Sequence, residues 1–184
     1  MILYIHGFAS SGQGTKAQMV RDYFGAQAYA PSLPYIPDLA LDTLTQIVST
    51  HRHSGPIHLI GSSLGGFYAT ILAERFDLKA VLVNPSTEPW KTLSKTGYIT
   101  HYYDLSTFEW TPRHVQSLAA MAPPSITVPQ NYRLMLQTGD DVLDYRIAMH
   151  RYKGAETIVE EGGSHAFEGF ENHLPAIAAF FENR

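Results

Sequence analysis

Gly61-Ser62-Ser63-Leu64-Gly65 fits the pattern G-x-S-x-G, in which a sharp turn between a strand and a helix lifts a serine hydroxyl clear of a sheet. By composition alone such a pentapeptide occurs in roughly one chain in fifteen of this length, so its surroundings decide. Here it directly follows the apolar run Ile57-His58-Leu59-Ile60 and opens an amphipathic stretch from Leu64 to Phe76 with Phe67, Ile71 and Leu72 on one face. That is the strand, turn and helix the motif requires, and it makes Ser63 the candidate nucleophile. Gly61 and Gly65 allow close backbone approach around the turn. The N-terminus of the following helix offers amide donors and positive potential where an oxyanion would form. Neither this glycine run nor Gly7 through Lys16 ends in G-K-[ST], so neither is a phosphate-binding loop.

A serine hydroxyl becomes a useful nucleophile only when a nearby base takes its proton. Of nine histidines, His165 is the one well placed. It lies in Glu161-Gly162-Gly163-Ser164-His165, after the last predicted strand and before the last helix, where glycines can swing an imidazole over the sheet edge. His6 is expected to brace its own loop. His51, His53 and His58 are split between a helix end and a strand with no interleaved carboxylates, so no metal site is expected. His101 and His114 fall in a long insertion where they could touch substrate; His150 and His173 read as helix-face residues. The acid that orients the base should also follow a strand. Asp140 does so in Gln137-Thr138-Gly139-Asp140-Asp141, immediately after a turn glycine, while Asp141 and Asp144 can serve the loop and a helix cap. The oxyanion hole is expected from the backbone N–H groups of Phe8, in the loop after the first strand, and Leu64, with the phenyl ring of Phe8 against the acyl pocket. The chemistry implied is acyl transfer through an acyl-enzyme on Ser63, with no metal and no organic cofactor.

The elements that must hold these residues read as an α/β fold: a mostly parallel sheet of about six strands flanked by helices. Ile2 to Ile5 is the first strand, Thr15 caps a helix with Val20, Tyr23 and Phe24 inward, and Gln27 to Ala30 is a short second strand. Pro31, Pro34 and Pro37 keep the chain extended until Asp38 starts a helix. The strands Ile57 to Ile60 and Ala80 to Val83 enclose the helix that follows Ser63. Tyr132 to Gln137 and Glu156 to Val159 complete the sheet, with a helix capped by Asp144 between them and another around Leu174, Ile177, Phe180 and Phe181. From about Ser86 to Gln130 the alternation lapses into a segment rich in Tyr, Trp, Thr and Pro, helical only at Arg113 to Met121. It reads as a lid.

Composition bounds what this site can serve. At 184 residues the chain is read as a single domain spanning 1–184, with its cleft built inside it. No apolar run approaches the roughly 20 residues of a membrane span. The N-terminus meets His6-Gly7 too soon for a secretory signal, so a cytoplasmic protein is expected. There is no cysteine, which excludes disulfides, thiol nucleophiles and thiolate metal sites. The net charge of −4 with scattered Lys and Arg argues against nucleic acid. The partner is then a small ester or thioester; the oligomeric state is left open.

The chain resembles the compact YqiA-type bacterial esterases of the α/β-hydrolase superfamily over nearly its whole length. The matching segments are the N-terminal HGFASS, the turn GSSLGGFYAT, VNP after the fourth strand, QTGDDVLDYR and EGGSHAFEGFE. The order Ser63, Asp140, His165 is that of the α/β-hydrolase template. The resemblance implies a trimmed hydrolase sheet without the usual first two strands, a short cap, the same three triad residues, and esterase activity on short acyl or acyl-CoA-like substrates; carboxylic esters of short to medium acyl chains are the expected substrates. An acyl-CoA thioesterase, with Lys91, Lys95 and Arg113 of the lid meeting phosphates, is the alternative; a non-catalytic binding protein of the same fold is a weaker one.

Overall fold

The computed structural model describes residues 1–182. Six strands form one sheet: β1 (Ile2–Ile5), β2 (Ala28–Tyr29), β3 (His58–Ser62), β4 (Lys79–Val83), β7 (Tyr132–Gln137) and β8 (Glu156–Glu160). Their order is β2-β1-β3-β4-β7-β8 and every pairing is parallel. Parallel strands require helical crossovers, and the amphipathic stretches supply them: α1 (Thr15–Phe24), α2 (Pro37–His51), α3 (Leu64–Phe76), α6 (Tyr145–Arg151) and, after β8, α7 (Leu174–Glu182). From β1 the chain steps out to β2, then crosses back to β3 on the other side. The loops leaving the carboxyl ends of β1 and β3 therefore diverge at a topological switch point, the place where such sheets open a crevice.

Both sheet faces are covered, as the near-continuous apolar strands require. Leu3, Ile5, Leu59, Leu82, Leu134 and Leu136 point to one face under α2 and α3; Ile2, Tyr4, Ile60, Val81, Val83 and Met135 point to the other under α1 and α7. Several boundaries differ from expectation. β3 and β8 run on to Ser62 and Glu160 because pairing continues, Ser62 opposite Val83 and Glu160 opposite Gln137. Gly14, not Thr15, caps α1; Pro37 rather than Asp38 opens α2, its fixed φ suiting a helix start; and Tyr23 is about half exposed while Val20 is fully buried.

The segment read as a lid has more structure than expected. It contains a short helix α4 (Pro89–Thr92), an antiparallel hairpin β5 (Gly97–Thr100) and β6 (Thr107–Trp110), and α5 (Pro112–Met121). Phe108, Trp110 and Leu118 join the main core, and the Trp110 indole donates to the Leu93 carbonyl at 2.8 Å. The base of the insertion is therefore packed into the fold. Among the described residues no helix is long and apolar enough to cross a membrane.

His58 carries a consequence for stability. Its ring stacks on Phe181, centroids 4.6 Å apart and planes 8° apart, and its Nδ1 is buried without a partner among the described residues. Burial first, then the cationic Met1 amino group and Lys79, push its pKa down to about 4. The folded value lies below the unfolded one of about 6.5, so stability is full above pH 6.5 and declines as pH falls from 6.5 toward 4. In His58→Phe the stack remains and the proton-binding group is gone. Melting curves between pH 7 and 4.5 should show a shallower acid decline for the variant; parallel declines would assign the acid sensitivity elsewhere.

Candidate active site

Ser63 sits between β3 and α3 with φ 54° and ψ −121°, a conformation an L-residue adopts only when its surroundings enforce it. Three backbone hydrogen bonds do so. Ser63 N donates to the Val83 carbonyl at 3.0 Å, and the Ser63 carbonyl accepts from Gly66 and Ser86 at 2.9 and 3.0 Å. The flanking glycines are dictated by contact rather than by φ. A Cβ on Gly65 would stand 2.0 Å from the Ile5 carbonyl oxygen, and one on Gly61 would stand 2.4 Å from that of Gly65. The turn is thus wedged against the end of β1, as the motif anticipates.

Residues distant in sequence meet above this turn. His165 Nε2 lies 2.9 Å from Ser63 Oγ, and its Nδ1 lies 2.8 and 3.0 Å from the two carboxylate oxygens of Asp140. A carboxylate only accepts, so Nδ1 carries the proton and Nε2 is left to accept from the serine hydroxyl. Asp140 Oδ1 also accepts from the amides of Val142 and Leu143 at 2.9 and 2.8 Å. Its side chain is 2% exposed. Burial pushes the carboxyl up, but the hydrogen bonds from His165 and from the two amides outweigh this and hold it below the ordinary carboxylate value. It is ionised at neutral pH. The neighbouring acids do other work: Asp144 caps α6 through the Arg146 amide and pairs with the Arg146 guanidinium, while Asp141 is exposed.

The loop after β1 lies against Ser63. A Cβ built on Gly7 would come within 3.2 Å of Ser63 Cβ, so the backbone leading into Phe8 passes directly beside the serine. Leu64 is the first residue of α3, and its amide is one of the donors a helix start leaves without an intrahelical partner. His6 braces this loop as expected: its ring lies 2.8 Å from the Gly7 carbonyl through Nδ1 and accepts from the Leu33 amide at 2.9 Å through Nε2. Burial lowers its pKa, which keeps the ring neutral and in the tautomer both bonds need.

Ser63 and His165 open into a cleft of about 640 Å³ whose wall includes Phe8, Lys16, Leu93 and Tyr102. Only part of the insertion reaches it. Of the insertion's apolar side chains, Leu93 and Tyr102 line the cleft; Phe108 and Trp110 are core residues, and Tyr98 and Tyr103 face outward. His101 pairs with Asp104 on the hairpin turn, and His114 closes the capping box of α5 with Thr111; neither lines this cleft. Among the described residues no group of three or more His, Asp or Glu side chains is arranged to hold a metal ion. Lys16, on the first turn of α1, was not singled out in the sequence. Nor were Asn84 and Gln137, although both lie buried beneath the His165 loop.

A parallel sheet with a strained serine at its switch point defines the α/β-hydrolase fold, and solved structures agree. Mouse alpha/beta hydrolase domain-containing protein 10 superposes with a TM-score of 0.74 at 17% identity, covering 97% of this chain and 87% of the other. Est1E from Butyrivibrio proteoclasticus, solved with ferulic acid bound, gives 0.67 at 13% identity, covering 98% and 86%. At these identities the likeness is one of fold. Within that fold the chain belongs to the Uncharacterised protein family (UPF0227), whose model matches residues 1–182. A UPF0227 protein of Serratia proteamaculans is 24% identical over 193 residues, with 98% of each chain covered. The expected kinship with YqiA-type proteins is borne out.

Proposed function

We propose that this protein is a serine hydrolase that cleaves carboxylic esters of short to medium acyl chains through an acyl-enzyme on Ser63. The observation that carries the reading is the unbroken hydrogen-bonded line Asp140, His165, Ser63 at the mouth of the cleft. Ser63 Oγ attacks the ester carbonyl as its proton passes to His165 Nε2. The developing oxyanion turns toward the amides of Phe8 and Leu64, each such donor stabilising the transition state by about 3 kcal/mol. The imidazolium, held by ionised Asp140, returns the proton to the departing alkoxide. Water then repeats the sequence on the acyl-enzyme and releases the acid. The apolar wall formed by Phe8, Leu93 and Tyr102 suits an acyl chain, and the neighbour Est1E with its bound aromatic acid is consistent with ester chemistry on this fold.

One observation favours the thioester alternative. Lys16 lines the cleft with no carboxylate within 4 Å among the described residues, whereas Lys91 of the insertion is already paired with Glu88 at 2.6 Å. A coenzyme phosphate in the cleft would meet Lys16 rather than Lys91. The test is labelling with a fluorophosphonate in the presence of a chelator, followed by turnover of p-nitrophenyl esters and acyl-CoA thioesters over one series of acyl lengths. The expected result is a single adduct on the Ser63 peptide and chelator-insensitive ester turnover. A thioester preference that shrinks in Lys16→Met would move the assignment to the thioesterase. No adduct together with no turnover of either series would favour the binding-protein reading.

A further inference from the structure

His165 stands in a loop with no regular structure of its own, between β8 and a 3₁₀ turn at Phe170–His173, and Gly162 and Gly163 within it both have positive φ. Such a segment fixes an imidazole to a fraction of an ångström only if something else holds its backbone. Two side chains do. Asn84, just past the end of β4, donates through Nδ2 to the carbonyls of Ser164 at 3.0 Å and His165 at 3.3 Å. Gln137, the last residue of β7, accepts through Oε1 from the amides of Ser164 at 3.1 Å and Glu168 at 2.9 Å, and donates through Nε2 to the Glu168 carbonyl at 2.8 Å. Five hydrogen bonds from two side chains therefore bracket His165 on both sides.

The two amides are also tied to each other and to the sheet. Asn84 Oδ1 accepts from the Gln137 backbone amide at 3.0 Å, and the Asn84 amide donates to the Met135 carbonyl at 2.9 Å. Gln137 spends its remaining donor on Glu160 at 2.9 Å. Asn84 and Gln137 are 2% and 3% exposed, and the three residues before each are Val, Leu or Met. Burying amides brings no stabilisation over an apolar side chain unless every polar atom is matched, so their presence in this layer needs a reason beyond packing. Asn also tolerates the local backbone, φ 39° at position 84, better than most residues.

We propose that Asn84 and Gln137 are positioning residues for the general base: together they set the height and tilt of His165 over Ser63 and against Asp140. The inference rests on the serine-hydrolase reading above, and the strap extends to the acid. Gly139, next to Asp140, donates to the Gly162 carbonyl at 2.7 Å, and Gly162 donates to Thr138 Oγ1 at 2.9 Å. The loops bearing base and acid are thereby bound to one another and, through Gln137 and Asn84, to the sheet that bears the nucleophile.

The test compares Asn84→Ala, Gln137→Ala and the near-isosteric Gln137→Glu with the wild type. For a p-nitrophenyl ester, kcat should fall about 10- to 100-fold with KM within about threefold, the scale expected when a catalytic group is misplaced by about 1 Å. Labelling of Ser63 by the fluorophosphonate should slow by the same factor. The far-downfield proton resonance of His165 Nδ1–H toward Asp140 should broaden or move. Gln137→Glu keeps the acceptor for the Ser164 and Glu168 amides but sets its second carboxylate oxygen against the Glu168 carbonyl and against Glu160, which also pairs with His173, so its kcat should fall with that of Gln137→Ala. Variants with the native proton resonance and native kcat would overturn the proposal, as would rate losses no larger than the unfolded fraction seen in melting curves. If instead Ser63→Ala is as active as wild type, the hydrolase reading fails, while the proton resonance still tests the strap on its own.

Discussion

Replacing Ser63 with alanine should lower kcat for p-nitrophenyl esters by about 10⁴-fold or more while the protein stays folded. Without Oγ no acyl-enzyme forms, and what remains is the rate that binding and the oxyanion donors alone give to water attack. The fold should survive because the φ of 54° at this position is imposed by backbone hydrogen bonds to Val83, Gly66 and Ser86, none of which uses the hydroxyl. Among the described residues, the side-chain hydrogen bond lost is the one to His165 Nε2. Residues that act as a unit are not additive, so Ser63→Ala combined with His165→Ala should be scarcely slower than Ser63→Ala alone. Steady-state rates for the two variants and the pair, with melting temperatures beside them, check this. Undiminished turnover in Ser63→Ala would end the acyl-enzyme assignment. A pair whose losses multiply would show serine and histidine acting independently.

Much of this site was legible because its parts are local. Gly61 through Gly65 announces a wedged turn by its spacing, and the apolar runs on either side say which elements it joins. α3 at Leu64–Phe76 and β7 at Tyr132–Gln137 fall where the sequence places them, since each is a clean apolar segment bounded by a turn residue. Asp140 and His165 were assigned from their position after strands, which holds wherever parallel strands share a carboxyl edge. The hairpin at Gly97–Thr100 and Thr107–Trp110 was not seen. Its periodic signal is the alternation of exposed Thr107 and Glu109 with buried Phe108 and Trp110, too short a run to set a strand apart within a segment rich in aromatics. Asn84 and Gln137 were invisible for another reason. Each is a single polar residue at a strand end, and its importance comes from a loop that returns to it only in three dimensions. Lys16 likewise acquires meaning only once α1 is seen to border the cleft.

Exchanging Asp140 for asparagine should cost nearly as much as losing the nucleophile, about 10⁴-fold in kcat, with little change in shape. The reason lies in what surrounds the carboxylate. Oδ1 accepts from the amides of Val142 and Leu143, and those two donors require an oxygen. Asparagine would therefore keep its carbonyl there and turn its NH₂ toward His165 Nδ1 in place of Oδ2. A donor facing Nδ1 forces the imidazole into the opposite tautomer, with the proton on Nε2, which then donates to Ser63 Oγ instead of accepting from it. The imidazolium of the transition state also loses its counter-charge. Since the folded carboxyl titrates below its ordinary value, wild-type Asp140 stays ionised across the neutral range, and its contribution to stability is present above the unfolded pKa and lost only as pH falls through the folded one. The asparagine variant should lack that last stretch of acid sensitivity. Asp141→Asn is the control: that residue is exposed, and the carboxylate hydrogen-bonded to His165 is that of Asp140, so its kcat should match the wild type. Steady-state rates for both variants at neutral pH, with Ser63 labelling rates alongside, separate the two carboxylates. A collapse in Asp141→Asn with Asp140→Asn intact would reassign the orienting acid to the neighbouring residue.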